Sequence, residues 1–189
     1  MGRIIAITGG IGSGKSVVCR IVNACGYEVY DCDSRAKLLM DTNVEIIEAI
    51  AVNVCQEAVC NGKIDRRILS DAVFGCDEKL KKLNAIVHKA VIEDFCHWLA
   101  AKHTAFIETA ILYTSGLDKY VSEVWEVTAP DGVRVDRVRL RNPELSEGRI
   151  IARIEAQKEE SKFPRSIEHE IIVNDGITPV LPQVERLLQ

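Results

Sequence analysis

The sequence predicts an α/β fold: a three-layer sandwich around a five-stranded parallel sheet, with one helical insertion and one helical lid. Three observations lead there. The glycine-rich loop "GGIGSGKS" stands between a short apolar run and a helical pattern. Four further apolar runs alternate with helical segments, and that alternation fails between residues 34 and 104.

The first strand is "RIIAIT", an isoleucine-rich run suited to a parallel strand buried on both faces. After it come Gly9, four residues, then Gly14, Lys15 and Ser16. In this pattern backbone N–H groups, here of Gly12, Ser13, Gly14, Lys15, Ser16 and Val17, cradle a nucleotide's phosphates. Lys15 would reach the β and γ oxygens and the Ser16 hydroxyl would bind Mg²⁺. Glycines let the chain wrap an anion closely and take φ > 0 where a Cβ would clash. The helix read from "SVVCRIVNAC" would offer the anion its unpaired N–H groups and the positive end of its dipole.

The other strands are read at "EVYD" (28–31), "AFIETAIL" (105–112), "EVWEVTA" (123–129) and "EIIVND" (170–175). No strand is read between 34 and 104. Helical patterns fill that stretch at "NVEIIEAIAVNV", "DRRILSDAVF" and "EKLKKLNAIVHKAVIEDFCHWLAAK". In the last, Leu80, Leu83, Ile86, Val87, Val91, Ile92 and Phe95 form an apolar stripe expected to be core.

A second insertion is the arginine-rich stretch 131–165. Arg134, Arg137 and Arg141 share a helix face, as do Arg149 and Arg153. Two solvated helices answering Glu144, Glu147 and Glu155 would explain them. Beside a phosphate loop, a closing lid explains them better, because a transferring phosphoryl group needs positive charge opposite the loop. The expected organisation is a nucleotide-binding core (1–33, 104–133 and 166–189), a helical acceptor lobe (34–103) and a lid (134–165).

Composition narrows the class. The chain has 189 residues, 47% hydrophobic and 28% charged, as in an ordinary globular domain. A net charge of −4 and a pI near 5.6 argue against a general nucleic-acid or membrane-surface binder. The first apolar run leads straight into the glycine loop, so neither a signal peptide nor a spanning helix is read, and a cytoplasmic protein is expected. None of the seven cysteines forms a C-x-x-C pair. They are expected to be reduced and mostly buried, with Cys32, between two aspartates, the one to watch for oxidation.

Phosphoryl transfer needs an acceptor held in line and a place for its proton. "VYDCDSRAK" supplies Asp31 and Asp33 at the end of the second strand, where open α/β sheets bind ligands. Asp33 is the better candidate for the acceptor hydroxyl; it could also cap the following helix.

Taken together, these residues resemble the dephospho-CoA kinase family, over nearly the whole chain. The family's "TGGIGSGKS" is Thr8 to Ser16; its "DAD" with "AR" is Asp31-Cys32-Asp33 with Ala36-Lys37. Its "LDR…L…VF" stands as Ile64-Asp65-Arg66, Leu69 and Val73-Phe74, and its "I.HP" as Ile86, His88 and Lys89. "Q..R…R" is similar to Arg134, Arg137 and Arg141, "RI..Q" to Arg153, Ile154 and Gln157, and "VI.N.G" to 171–176.

The resemblance implies a P-loop kinase-like fold and transfer of the γ-phosphate of ATP to the 3′-hydroxyl of dephospho-CoA, with Mg²⁺. It implies Asp33 as general base, Lys15 and Ser16 on phosphate and metal, Arg141 on the phosphates from the lid, and Asn174 near adenine. Lys37, Arg66 and His88 would contact dephospho-CoA. The family's "D.PLLFE" reads "ETAILYT" here. Glu108 replaces Asp, one methylene longer yet able to bind a water on Mg²⁺; Ala110 replaces Pro and Thr114 replaces Glu. Lys37 replaces Arg without its bidentate fork, and Val17 replaces Thr, leaving only a backbone N–H. A kinase of similar architecture acting on a nucleoside monophosphate or a sugar is the alternative. A nucleotide switch would carry a base-specific motif such as N-K-x-D, and the sequence has none.

Overall fold

The computed structural model describes residues 2–100, 102–160 and 167–189. The chain divides into two compact units, residues 1–30 with 102–189, and residues 31–101.

The first unit is built on strands β1 (Arg3–Thr8), β2 (Val29–Asp31), β5 (Thr104–Glu108), β6 (Glu123–Thr128) and β7 (Glu168–Val173), in the sheet order β2-β5-β1-β6-β7. β1 runs parallel to both β5 and β6, and β6 parallel to β7. The glycine loop therefore leaves the central strand of five. On one face, Ile5, Ile7, Phe106, Trp125, Val127 and Ile172 pack with Val18, Cys19 and Val22 of α1 (Lys15–Ala24) and Val184 of α9 (Val180–Leu188). Phe106 and Trp125 meet edge to face, ring centroids 5.2 Å apart. The arginine-rich stretch forms α7 (Asp131–Arg141) and α8 (Glu147–Glu160), joined by a small core of Val135, Val138, Ile150 and Ile154.

The third strand of the sequence reading ends early. β5 stops at Glu108, and Leu112–Ser115 form the short helix α6. The Thr109 hydroxyl accepts from Ile111 N at 3.2 Å, a local turn that competes with continued pairing. Of the reading for 134–165, residues 161–165 lie outside the described residues, as does residue 166 of the expected core.

The second unit is mostly helical, as expected: α2 (Cys32–Thr42), α3 (Val44–Asn53), α4 (Arg66–Val73) and α5 (Asp77–Leu99). Side chains set the helix starts. Asn43 accepts from Ile46 N, and Asp65 from Arg67 N and Ile68 N. Leu83 and Ile86 of the stripe pack on a core of Ile46, Ile50, Val54 and Leu69; Val91 and Phe95 are buried, and Leu80 is exposed. One expectation fails here. A two-stranded antiparallel hairpin, β3 (Val59–Cys60) and β4 (Lys63–Ile64), lies in the stretch read as strandless. Its turn is Asn61-Gly62, both at positive φ (51° and 70°), the pair that two-residue hairpin turns favour.

Cysteine burial also differs from expectation. Cys32 is buried with Cys19 and Cys55, whereas Cys25 and Cys60 are exposed. Cys32 follows the last residue of a strand and opens α2, which places its side chain inward.

Candidate active site

The loop residues take the shape that anion binding requires. Gly14 is the N-cap of α1 in the left-handed region, φ 97°. A Cβ there would lie 2.0 Å from Asn174 Nδ2, and one on Gly12 (φ 78°) would lie 2.6 Å from the Arg134 carbonyl. Both glycines are thus demanded by backbone conformation and by close neighbours. The amides of the first turn of α1, from Lys15 onward, belong to the end of a helix that lacks intrahelical acceptors. The Val17 amide donates to the Gly14 carbonyl at 2.9 Å and the Ser13 amide to Gly10 at 3.1 Å, closing the loop on itself. Lys15 Nζ donates to the Gly9 carbonyl at 2.9 Å, spanning the loop from its end back to its start.

The back of the loop is held by side chains. Arg134 Nε donates to the Ile11 carbonyl at 2.9 Å, and the Ile11 amide donates to Gln157 Oε1 at 2.6 Å. Arg137 Nη1 reaches the Gly12 and Ser13 carbonyls at 3.3 and 3.2 Å. Asn174, buried, donates from Nδ2 to the Ser13 carbonyl at 2.9 Å and accepts from Arg137 Nη2 at 3.1 Å. Peptide units are planar, so tying successive carbonyls to one side turns the matching N–H groups to the other. Arg134 is neutralised by Asp131 at 3.1 Å, which lets its guanidinium be buried.

Arg134 and Arg137 therefore brace the loop, while Arg141, at the end of the same helix, is exposed to solvent. From the sequence, Arg134, Arg137 and Arg141 are expected together to bring positive charge from a lid opposite the loop; Arg134 and Arg137 instead bond loop carbonyls, and Gln157, which has only a motif position in the sequence, accepts from the Ile11 amide. The signal available was their spacing, which puts Arg134 and Arg137 one turn apart on α7.

Beside the loop lies a cavity of about 200 Å³ lined by Gly10, Ser13, Glu126, Thr128, Arg134 and Gln157 among others. Ser13 Oγ and Arg134 Nη2 are buried here without hydrogen-bond partners among the described residues. Burial pushes the Glu126 carboxyl above the usual carboxylate range, opposed by His169, whose Nε2 is 3.2 Å away.

Oxygen donors for a hard cation stand near the loop's end. The Ser16 side chain is on an exposed residue of α1, and Glu108 is the last residue of β5, in register with Ile7 of β1. Glu108 Oε2 accepts from Cys19 Sγ at 3.3 Å. The donors fit Mg²⁺, which takes one or two protein oxygens alongside phosphates and waters.

In the second unit, the cap of α2 belongs to Asp31, whose carboxylate accepts from Ser34 N at 3.0 Å and Ser34 Oγ at 2.6 Å. Asp33, on the first turn, is exposed and is not the cap. Its sequence neighbour, two residues earlier, satisfies the helix end. Arg66 is paired with Asp41, 2.9 and 2.8 Å from its two carboxylate oxygens, and donates to the Lys37 carbonyl at 3.3 Å. Lys37 itself is exposed. Partial burial pushes the His88 imidazole below its ordinary value, which favours its neutral form.

The dephospho-CoA kinase (CoaE) family model matches residues 3–179. Dephospho-CoA kinase of Porphyromonas gingivalis is 35% identical over 187 residues, covering 98% of this chain and 92% of that one. The solved structure of TT1252 from Thermus thermophilus is 34% identical with a TM-score of 0.77, over 99% of this chain and 94% of that one. Dephospho-CoA kinase from Campylobacter jejuni shares the fold, with a TM-score of 0.69 at 22% identity over 100% and 96% of the two chains. The chain belongs to the dephospho-CoA kinase family.

Proposed function

We propose that this protein transfers the γ-phosphoryl group of ATP to the 3′-hydroxyl of dephospho-CoA, giving CoA and ADP, the last step of CoA synthesis. The observation that carries this reading is the family match across residues 3–179, which takes in the phosphate loop, the Asp31–Asp33 segment and both arginine helices. A nucleoside monophosphate or sugar as acceptor has no comparable support.

The loop amides and Lys15 bind the β- and γ-phosphates, and the brace from Arg134, Arg137, Gln157 and Asn174 keeps those amides aimed before substrate arrives. Asn174, besides its part in that brace, stands near adenine. Asp33, relieved of capping by Asp31, takes the proton from the 3′-hydroxyl. The 3′-oxygen bonds the γ-phosphorus as the bridging oxygen–phosphorus bond breaks and ADP leaves. Arg141 supplies positive charge to the transferring group from the lid, residues 134–165. Residues 34–103 form the acceptor lobe, with Lys37, Arg66 and His88 on dephospho-CoA. Ser16, and Glu108 through a water, would hold Mg²⁺, which would supply charge to offset that on the phosphate oxygens. Among the described residues no helix is long and apolar enough to cross a membrane; we place the enzyme in the cytoplasm.

The test is ADP formation from Mg·ATP with dephospho-CoA, with AMP, with a sugar and with no acceptor. Turnover is expected only with dephospho-CoA, and the product should carry the new phosphate at the 3′ position by ³¹P NMR. Equal ADP release without dephospho-CoA would overturn the assignment.

A further inference from the structure

Glu108 and Cys19 come from different elements and meet beneath the end of the phosphate loop. Glu108 closes β5, paired in register with Ile7 on the strand that feeds the loop. Cys19 lies on α1, one turn after Ser16, with only 6% of its surface exposed. Its Sγ is 3.3 Å from Glu108 Oε2. A thiol is a weak donor, but a carboxylate acceptor strengthens the bond, and the buried thiol is shielded from competing water. Glutamate has one more rotatable bond than aspartate, so its carboxylate needs an anchor to stay in a single position. The bond engages one of the two carboxylate oxygens.

We propose that Cys19 is a positioning residue for Glu108: its thiol proton fixes Oε2, so that the remaining oxygen is presented to the water shell of the nucleotide-bound Mg²⁺. The proposal rests on the metal role given to Glu108 above. The thiol contact is what makes the longer side chain serviceable at this position. A metal site's outer partners matter in this way because they orient the groups that touch the ion or its waters.

The experiment uses the full chain and measures ADP binding by calorimetry, with Mg²⁺ and with EDTA, for wild type, Cys19→Ala, Cys19→Ser, Glu108→Gln and the Cys19→Ala/Glu108→Gln double variant. ADP binding needs no acceptor, so the result is independent of whether dephospho-CoA is the substrate. Cys19→Ala is expected to lose about tenfold of the gain in affinity that Mg²⁺ provides, the low end for an outer-shell partner. Metal-free ADP binding should be unchanged. Cys19→Ser keeps a donor and should recover most of the loss. In the Glu108→Gln background, Cys19→Ala should have no further effect.

An unchanged Mg²⁺ gain in Cys19→Ala overturns the proposal. So does a loss of metal-free ADP binding, which would mark Cys19 as packing alone, or an equal loss in the Glu108→Gln background. If Glu108→Gln itself keeps the full Mg²⁺ gain, the metal role of Glu108 falls and the proposal with it, while the acceptor assay still decides the kinase reading.

Discussion

Arg137 and Asn174 hold the same loop carbonyl and each other: both donate to Ser13 O, at 3.2 and 2.9 Å, and Arg137 Nη2 donates to Asn174 Oδ1 at 3.1 Å. Removing Arg137 takes a donor from Gly12 O and Asn174 Oδ1, and removing Asn174 takes the acceptor from Arg137 Nη2, at about 1–3 kcal/mol for each group left unsatisfied. Arg137→Ala and Asn174→Ala should each lower stability in urea unfolding and weaken ADP binding. Because they share one network, the double variant should lose less than the sum of the two.

Asp31 and Asp33 divide the work at the start of α2. Asp31→Ala removes the cap and should destabilise the protein by about 1 kcal/mol. Asp33→Asn should leave thermal stability near wild type and lower kcat by about 10²- to 10⁴-fold. Unchanged turnover with intact folding would remove Asp33 from the chemistry.

Arg141 is exposed at the end of α7, away from the brace formed by Arg134 and Arg137. Arg141→Ala should change stability by no more than about 0.5 kcal/mol, as surface changes do. Transfer should slow by about 10³-fold, the scale of an arginine acting on a phosphoryl transition state. Single-turnover rates and dephospho-CoA binding separate the two effects. A larger loss in binding than in rate would place Arg141 in the acceptor site.

His88 carries a pH signature. Burial holds its folded pKa below the ordinary value. The unfolded chain therefore binds a proton first as pH falls, and stability is lost from about pH 6.5 down through the folded pKa. Above that window the group contributes nothing further. Unfolding free energies between pH 8 and 5 should fall for wild type, and His88→Gln should flatten that slope.

Much of this was legible along the chain. The spacing Gly9–Gly14–Lys15–Ser16, the four later apolar runs and the stretch without sheet signals specified an α/β core, its loop and a helical second unit. Those signals are local: strand and helix periodicity, glycine conformation and cap residues are properties of a few neighbours in sequence. The Asn61-Gly62 hairpin was equally local, but its strands are two residues each, too short to show alternation.

What sequence could not decide was which side of the loop each arginine serves. Helical spacing on one face makes Arg134, Arg137 and Arg141 look alike, yet two of them bond loop carbonyls and one faces water. The pairing of Cys19 with Glu108, 89 residues apart, is likewise invisible to any pattern along the chain. Sequence determined the elements and the reactive groups. Packing of α1, α7 and α8 around the ends of β1, β5 and β6 decided which groups brace the phosphate cradle and which are left to meet a ligand, because direction and burial exist only once distant segments are in contact.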